Sequence, residues 1–299
     1  YKEKIAVVFG GMSTEHDVSI VSGTSVLKNL NKEKYDIFPI YIDREGNWFK
    51  YTKPVNQIEI LNVGDKIEEL DKIEEPMEYL KNIDVVFPVL HGLYGEDGTI
   101  QGMLELLNKK YVGCKVFASS VCMDKVYAKV IFDKAKINQA KYIYIRKAGE
   151  RYIYIDNEFN EEIHSLEEIA DIVSEKIGFP VFIKPSNSGS SVGINKSHNI
   201  EELKEHIKYA SQFDKKILIE ENICGREVEC AVLGNEEVKA SCVGEILPAE
   251  EFYTFDAKYI NAESRVVIPA DLPEGISNEI RSTAIKELMA KDYQELISL

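Results

Sequence analysis

Residues 179–193 read Phe-Pro-Val-Phe-Ile-Lys-Pro-Ser-Asn-Ser-Gly-Ser-Ser-Val-Gly. The apolar run Phe179 to Ile183 has the length and composition of a short buried strand. It ends at Lys184-Pro185, and a loop of small residues follows. Between 184 and 193 that loop carries four serines and two glycines. Small side chains and glycine let backbone N–H groups approach an anion closely. Lys184 adds a positive charge beside them. The stretch therefore reads as a strand that delivers a phosphate cover, or equally as an ordinary serine-glycine turn.

The N-terminal end has a similar strand-to-turn logic. Ile5-Ala6-Val7-Val8-Phe9 is an apolar strand followed by Gly10-Gly11 and then a helix, the opening of an α/β unit. Thr14 with Asp17 three residues on has capping-box spacing. Glu15 and His16 fall at the strand-to-helix turn, where open α/β sheets place ligands. Glu15 is also an ordinary first-turn acid favoured by the helix dipole. Gly10-Gly11 does not continue as G-x-G-x-x-G, so a dinucleotide fingerprint is not supported. Tyr35–Ile42 reads as a strand, and Trp48 opens a short β segment after a Gly46-Asn47 turn. Residues 54–80 are acidic and weakly patterned and read as variable surface. Asp84–Leu90 is a third apolar strand. It runs into His91-Gly92-Leu93-Tyr94-Gly95-Glu96-Asp97-Gly98, where glycines at 92, 95 and 98 alternate with charge. A helix, Ile100–Leu107, follows.

Met123-Asp124-Lys125 opens another helix. A lysine in the first turn opposes the helix dipole, unless a bound phosphate reverses the local field. Tyr142–Ile145 and Tyr152–Ile155 read as strands, Ile163–Ile177 and 200–210 as helices, and Val228–Leu233 as one more strand. Ile217–Glu221 is a strand ending in two acids. Glu220 and Glu221 at a strand end can accept from an amino group and a hydroxyl, or can be solvated acids at a sheet edge. Phe252–Tyr259 holds four aromatics with Lys258, either core or a lid that excludes water.

The totals narrow the class. The chain has 299 residues, and 36 Lys+Arg against 51 Asp+Glu give a net charge of −15. That balance argues against a nucleic-acid partner or an anionic membrane surface. Apolar runs are far shorter than the roughly 18 residues of a membrane span. No N-terminal signal pattern is visible, and the five cysteines lack C-x-x-C spacing. A cytoplasmic chain without membrane insertion, disulfide framework or zinc site is expected.

Taken together and in order, these stretches resemble the D-alanine–D-alanine ligase family of ATP-grasp enzymes. The resemblance runs through Val8-Phe9-Gly10-Gly11 to Ser19, His91 to Gly102, Met123-Asp124-Lys125, Phe182 to Gly193, Glu220-Glu221, and Phe252 to Tyr259. It covers about residues 4–270. It implies an α/β and α+β fold in three domains. These would be an N-terminal open parallel-sheet domain (1–113), a central ATP-grasp subdomain with the glycine loop (114–219), and a C-terminal ATP-grasp subdomain (220–299). It implies ATP-dependent joining of two D-alanines through an acyl phosphate, for peptidoglycan precursor synthesis. Substrates would be D-alanine and ATP, with Mg2+ or Mn2+ as cofactor, and the assembly a homodimer.

The resemblance also assigns residues. Lys125, Lys184 and Lys258 would contact ATP phosphates, with Ser190 and Ser191 in the loop above them. Glu220 and Glu221 would lie at the adenine and Glu227 at the ribose. Glu15 would take the ammonium of the first D-alanine, and Ser190 and Tyr259 would join it in a hydrogen-bonded cluster. Ser19, His91 and Glu96 would help place the substrate. Tyr259 favours an amine acceptor, which leaves D-serine a closer alternative than D-lactate. One departure matters. The family continues with acids that hold the metal, whereas here Thr283–Glu287 runs straight into 288–296, a stretch similar to the family's last helix. Residues are expected to be missing between about 284 and 293, and the metal ligands stay unassigned. A non-catalytic nucleotide-binding module is the reading from a different class.

Overall fold

The computed structural model describes residues 2–189, 191–235, 237–247, 265–290 and 296–298, the last three by their backbone alone. The chain divides into two compact units, one of residues 1–120, 231–241 and 292–299, the other of 121–230 and 242–291.

The first unit is built on a six-stranded sheet. Its strands are β1 (Glu3–Gly10), β2 (Tyr35–Ile42), β3 (Trp48–Tyr51), β4 (Leu70–Lys72), β5 (Val85–Pro88) and β6 (Lys110–Tyr111), in the order β4-β3-β2-β1-β5-β6. β1 pairs in parallel with β2 and β5, and β5 with β6, while β3 and β4 add antiparallel strands at one edge. The open parallel sheet expected from the sequence is thus a mixed one. From Ile5 to Phe9 β1 is continuously apolar, because both of its faces are covered there. Ala6 and Val8 belong to one core, and Ile5, Val7 and Phe9 to the other. Each Ile, Val or Phe side chain taken fully from water there stabilises the fold by about 1.5–3 kcal/mol. The helices of this part of the chain are α1 (His16–Asn29), α2 (Pro76–Leu80), α3 (Thr99–Leu106) and α4 (Val116–Met123).

Three sequence expectations change here. Helix α1 begins at His16 after Glu15, with no side-chain cap, so the Thr14/Asp17 capping box does not form. Residues 54–80 are not merely surface, because Ile58, Ile73 and Leu80 are buried in the two cores. The 228–233 run is not one strand. Glu227–Glu229 pairs with Gly244–Leu247, whereas Val232–Gly234 pairs with Lys239–Ala240 and Leu296–Ser298 in a different sheet.

The second unit holds α5 (Lys125–Lys134), β7 (Tyr142–Ala148), β8 (Arg151–Ile155), β9 (Glu161–His164), α6 (Leu166–Lys176), β10 (Val181–Pro185), β11 (Asn195–Ser197), α7 (Ile200–Ala210), β12 (Lys216–Glu221) and α8 (Glu274–Ala290). Its main sheet runs β11-β10-β12-β7-β8-β9. Side-chain alternation sorts its two faces. Ile143, Ile145, Val181, Ile183, Ile217 and Ile219 pack with Leu166, Ile169, Leu203 and Ile207 of α6 and α7. The opposite face carries Tyr144 and Leu218 against Val126 of α5. That face also receives Phe182, Lys184 and Glu220, the alternate positions of β10 and β12. Residues 161–164 form a strand rather than the start of a helix. Ser165 and Glu168 close a reciprocal capping box that starts α6 at Leu166. β12 continues its sheet across position 220, so a boundary at 219/220 falls inside a strand bonded on both sides. The family-like last helix read over 288–296 also differs, with α8 running to Ala290 and strand pairing at 296–298.

Candidate functional site

In the first unit, the turn after β1 and the segment after β5 meet at the carboxyl ends of adjacent parallel strands. Ser19 is fully buried. Its hydroxyl accepts from Gly10 N at 2.8 Å and donates to the Val89 carbonyl. Ser19, expected among the substrate contacts, thereby pins the two strand ends together. Ser13 makes a second pin. Its hydroxyl donates to the His91 carbonyl at 2.6 Å and accepts from Glu15 N at 3.1 Å.

These pins bring Glu15, His91 and Glu96 together. Glu15 is buried. Gly92 has φ +72°, and a Cβ there would stand 2.5 Å from Glu15 Oε2. Glycine at 92 is thus required by conformation and by close approach. The His91 ring is fixed at both nitrogens, with Nε2 2.8 Å from Ser22 Oγ and Nδ1 3.5 Å from Glu96 Oε1. Glu96 Oε2 also accepts from Gly92 N at 2.8 Å. Asp97 accepts from Tyr94 N and Thr99 N, each at 2.9 Å, and so shapes the entry into α3. His16 lies in the same turn, with Nδ1 2.5 Å from the Gly11 carbonyl and Nε2 3.1 Å from the Tyr41 hydroxyl. Ser13 and Ser22 escaped the sequence reading. Helical spacing, with Ser19 and Ser22 three apart on α1, was the available signal.

In the second unit, Asp124 caps α5 by accepting from Val126 N at 3.1 Å and Tyr127 N at 3.2 Å. It also accepts from Ser186 Oγ at 2.6 Å and forms an ion pair with Lys216. Burial pushes the Asp124 carboxyl up, but Lys216, Ser186 and the cap outweigh it and hold it below its ordinary value. Lys125 N donates to the Ser186 carbonyl at 2.9 Å, and Lys125 Nζ donates to the Ser188 carbonyl. The lysine at the first turn is therefore tied to the base of the glycine loop. Burial, then the nearby Lys184, lowers its pKa to about 8.

The loop is anchored at both ends. Asn187 donates to Asp214 from its backbone at 3.0 Å and from its amide at 2.8 Å. Gly193 has φ +76°, and a Cβ there would meet Pro185 at 2.7 Å and Phe213 at 2.8 Å. Ser188 Oγ donates to the Val192 carbonyl at 2.8 Å, and Ser191 takes a left-handed φ of +62°. Ser190, Lys258 and Tyr259 lie outside the described residues.

Glu220 is not a solvated edge acid. β12 is a central strand, and Glu220 is 8 % exposed. Its carboxylate pairs with Lys184 through Oε1 and with Lys129 through Oε2, the latter at 2.9 Å. Burial pushes this carboxyl up, and the two lysines reverse the shift and hold it low. Glu221 turns away and accepts from Lys141 N at 2.8 Å. Glu227 is exposed on its short strand. Among the described residues no group of three or more His, Cys, Asp or Glu is placed to hold a metal ion. The Mg2+ or Mn2+ ligands therefore stay unassigned among them, and the chemistry assigned to these residues is confined to binding, charge and orientation. No helix among them is long and apolar enough to cross a membrane.

Comparison with known proteins adds names to this geometry. A family model described as D-ala D-ala ligase N-terminus matches residues 4–114, and one described as D-ala D-ala ligase C-terminus matches 131–296. A D-alanine–D-alanine ligase of Acetivibrio thermocellus is 47% identical over 319 aligned residues, covering 99% of this chain and 82% of the relative. One of Clostridium acetobutylicum is 48% identical, covering 97% of this chain and 81% of the relative. Among solved structures, the VanG D-Ala:D-Ser ligase of Enterococcus faecalis has a TM-score of 0.80 at 34% identity, covering 97% of this chain and 83% of that one. The D-alanine–D-alanine ligase of Coxiella burnetii has a TM-score of 0.77 at 28% identity, covering 97% and 77%.

Proposed function

The chain belongs to the D-alanine–D-alanine ligase family of ATP-dependent ligases, and on that premise we propose how its side chains divide the reaction. The activity is the joining of two D-alanines with ATP as co-substrate, for peptidoglycan precursor synthesis. The γ-phosphoryl group passes to a D-alanine carboxylate, and the amine of a second D-alanine attacks the acyl phosphate.

The observation that carries the division is the cation group at the base of the glycine loop. Lys125 is tied to Ser188, and Lys184 leaves the same strand that feeds the loop. Phosphoryl transfer depends chiefly on positioning and charge neutralisation. Lys125, Lys184 and Lys258 neutralise the nucleotide phosphates, and the 188–193 loop, with Ser190 and Ser191, covers them. Glu220 accepts from the adenine amine, Glu221 shapes that edge through Lys141, and Glu227 accepts from the ribose. Glu15 receives the ammonium of the first D-alanine, with Ser190 and Tyr259 joining its cluster. Ser22 and Glu96 orient His91 beside the substrate, and Ser19 holds the turn that carries Glu15.

The finer organisation is proposed on the same footing. The chain follows the family's three-domain plan, works in the cytoplasm with Mg2+ or Mn2+, and assembles as a homodimer. A second reading has support in the D-Ala:D-Ser ligase among the structural neighbours. Phosphate release from ATP separates the two when measured with D-alanine alone and then with D-serine or D-lactate added. D-alanine alone is expected to sustain full turnover. Release that rises several-fold on adding D-serine would move the acceptor to D-serine. Nucleotide binding without release would leave a binding module.

A further inference from the structure

Glu220 faces two cations, and they are not held alike. On the sheet face beneath α5, Glu220 stands opposite Phe182 on β10 and opposite Tyr142 on β7. Lys184 lies diagonally from it, paired with Leu218 in the register. Each lysine sits over its own ring, Lys184 at 5.5 Å from the Phe182 centroid and Lys129 at 5.1 Å from that of Tyr142. Both then reach the carboxylate between the rings. The side chains of Lys129 and Glu220 are 13% and 11% exposed, and that of Lys184 is 24% exposed.

Lys129 is built into its place. It lies one helical turn after Lys125 on α5, whose N-terminus Asp124 caps. Its carbonyl accepts from Gln139 Nε2 at 2.9 Å, and its ammonium lies 3.5 Å from the Ala140 carbonyl. The ring beneath it is itself fixed, because the Tyr142 hydroxyl donates to Asp133 at 2.6 Å. Lys184 has only Glu220 and the Phe182 face among its described partners. It also stands close enough to Lys125 for the two ammonium groups to repel. An arriving polyphosphate removes that repulsion and attracts both. Lys184 would then leave Glu220. Without another cation, a buried carboxylate would be stranded at a cost that disfavours the exchange.

We propose that Lys129 is the permanent counter-ion of Glu220 and Lys184 its exchangeable one. Nucleotide binding moves Lys184 from Glu220 to phosphate, while Lys129 keeps Glu220 ionised and oriented as the acceptor for the base. Lys129 is thus a positioning residue that acts through Glu220. The inference rests on the proposed nucleotide site and deepens it.

Calorimetric titration with two probes, ADP and adenosine, tests it. Lys184→Met is expected to weaken ADP tenfold or more and to change adenosine less than twofold. Lys129→Met is expected to weaken both probes, each by about tenfold. Lys129→Arg is expected to restore both to within about threefold of wild type. In the double variant Lys129→Met/Glu220→Gln, adenosine affinity is expected to match that of Glu220→Gln alone, because Lys129 acts only through that carboxylate. If Lys129→Met does not fold, the comparison of the double variant with Glu220→Gln still decides the point. A loss confined to ADP would make Lys129 a phosphate ligand and overturn the proposal. Additive losses in the double variant would overturn it as well. Failure of the wild-type chain to bind ADP would instead remove the nucleotide site itself.

Discussion

The two units hold their functional side chains by opposite means. In the first, His91 and the turn bearing Glu15 are set by hydroxyls, peptide groups and a glycine close approach, with Ser13, Ser19 and Ser22 as pins. In the second, Lys184 and Lys216 are already paired with buried acids, and Lys125 is held by a carbonyl beside them. Neutral pins fix geometry with little dependence on pH or salt. Paired charges fix geometry too, but they must be exchanged when a charged ligand arrives. On the division of the reaction proposed above, the difference would suit the ligands: one small zwitterion to be oriented, and one polyphosphate whose charge must be matched.

Five substitutions or titrations sharpen or break this contrast. The largest effect is expected at Glu15. Losing a carboxylate that faces an ammonium in a closed site costs about 2–5 kcal/mol. Glu15→Ala should therefore lower kcat/KM for D-alanine by about a thousandfold while ADP affinity stays within about twofold. An unchanged turnover removes Glu15 from the ammonium site. Next comes Asp124→Asn, which strands Lys216 and weakens a helix cap. Breaking a buried pair costs about 3 kcal/mol, and chemical denaturation at pH 7 should show a loss of that order.

The same group predicts a pH limb. The Asp124 carboxyl is held low in the folded chain. Its stabilisation is present above the unfolded value of about 3.9 and is lost as pH falls through the folded value. Denaturation midpoints across acid pH should show that limb in the wild type and a shallower one in Asp124→Asn.

Ser22→Ala is the smaller probe of the first unit. Removing one neutral hydrogen bond to His91 costs about 1 kcal/mol. A fall of about fivefold in kcat is expected, with ADP affinity unchanged. The smallest effect belongs to Lys125. With a pKa of about 8 in the nucleotide-free chain, it is about half protonated at pH 8. A bound phosphate favours the charged form, so ADP binding should take up at most about half a proton there. Titration calorimetry in buffers of different ionisation enthalpy reads this number. In the free chain the linkage has the same sign as for Asp124, because both values are lowered on folding and stability rises with pH. A lysine lowered from about 10.4 disfavours folding below about pH 8, and stability recovers as pH rises between the two values.

Much of the fold was legible because central strands announce themselves. The apolar runs 5–9, 85–88, 181–183 and 217–219 all lie in interior strands of their sheets. Helix 200–210 was legible by period, with Asn199 capping it. Other elements were hidden for physical reasons. The 161–164 strand is largely exposed and carries two acids, so only the Ser165/Glu168 box marked where the helix starts. The run 228–233 looked continuous, yet the chain changes sheets at Cys230-Ala231. Ile58 and Leu80 are buried singly within an acidic stretch that has no period.

At the site, Lys125, Lys184 and Glu220 could be named from sequence because each sits at an element end. Their partners could not all be named. Lys216 reaches Asp124 across 92 positions and Lys129 reaches Glu220 from another element, which local pattern does not reveal.

The central claim is that this chain joins two D-alanines with ATP. Phosphate release and D-alanyl-D-alanine, quantified together from ATP and D-alanine alone, test it most directly. One dipeptide per phosphate, with no release when D-alanine is omitted, is the predicted result. ADP binding accompanied by no D-alanine-dependent phosphate and no dipeptide would contradict it.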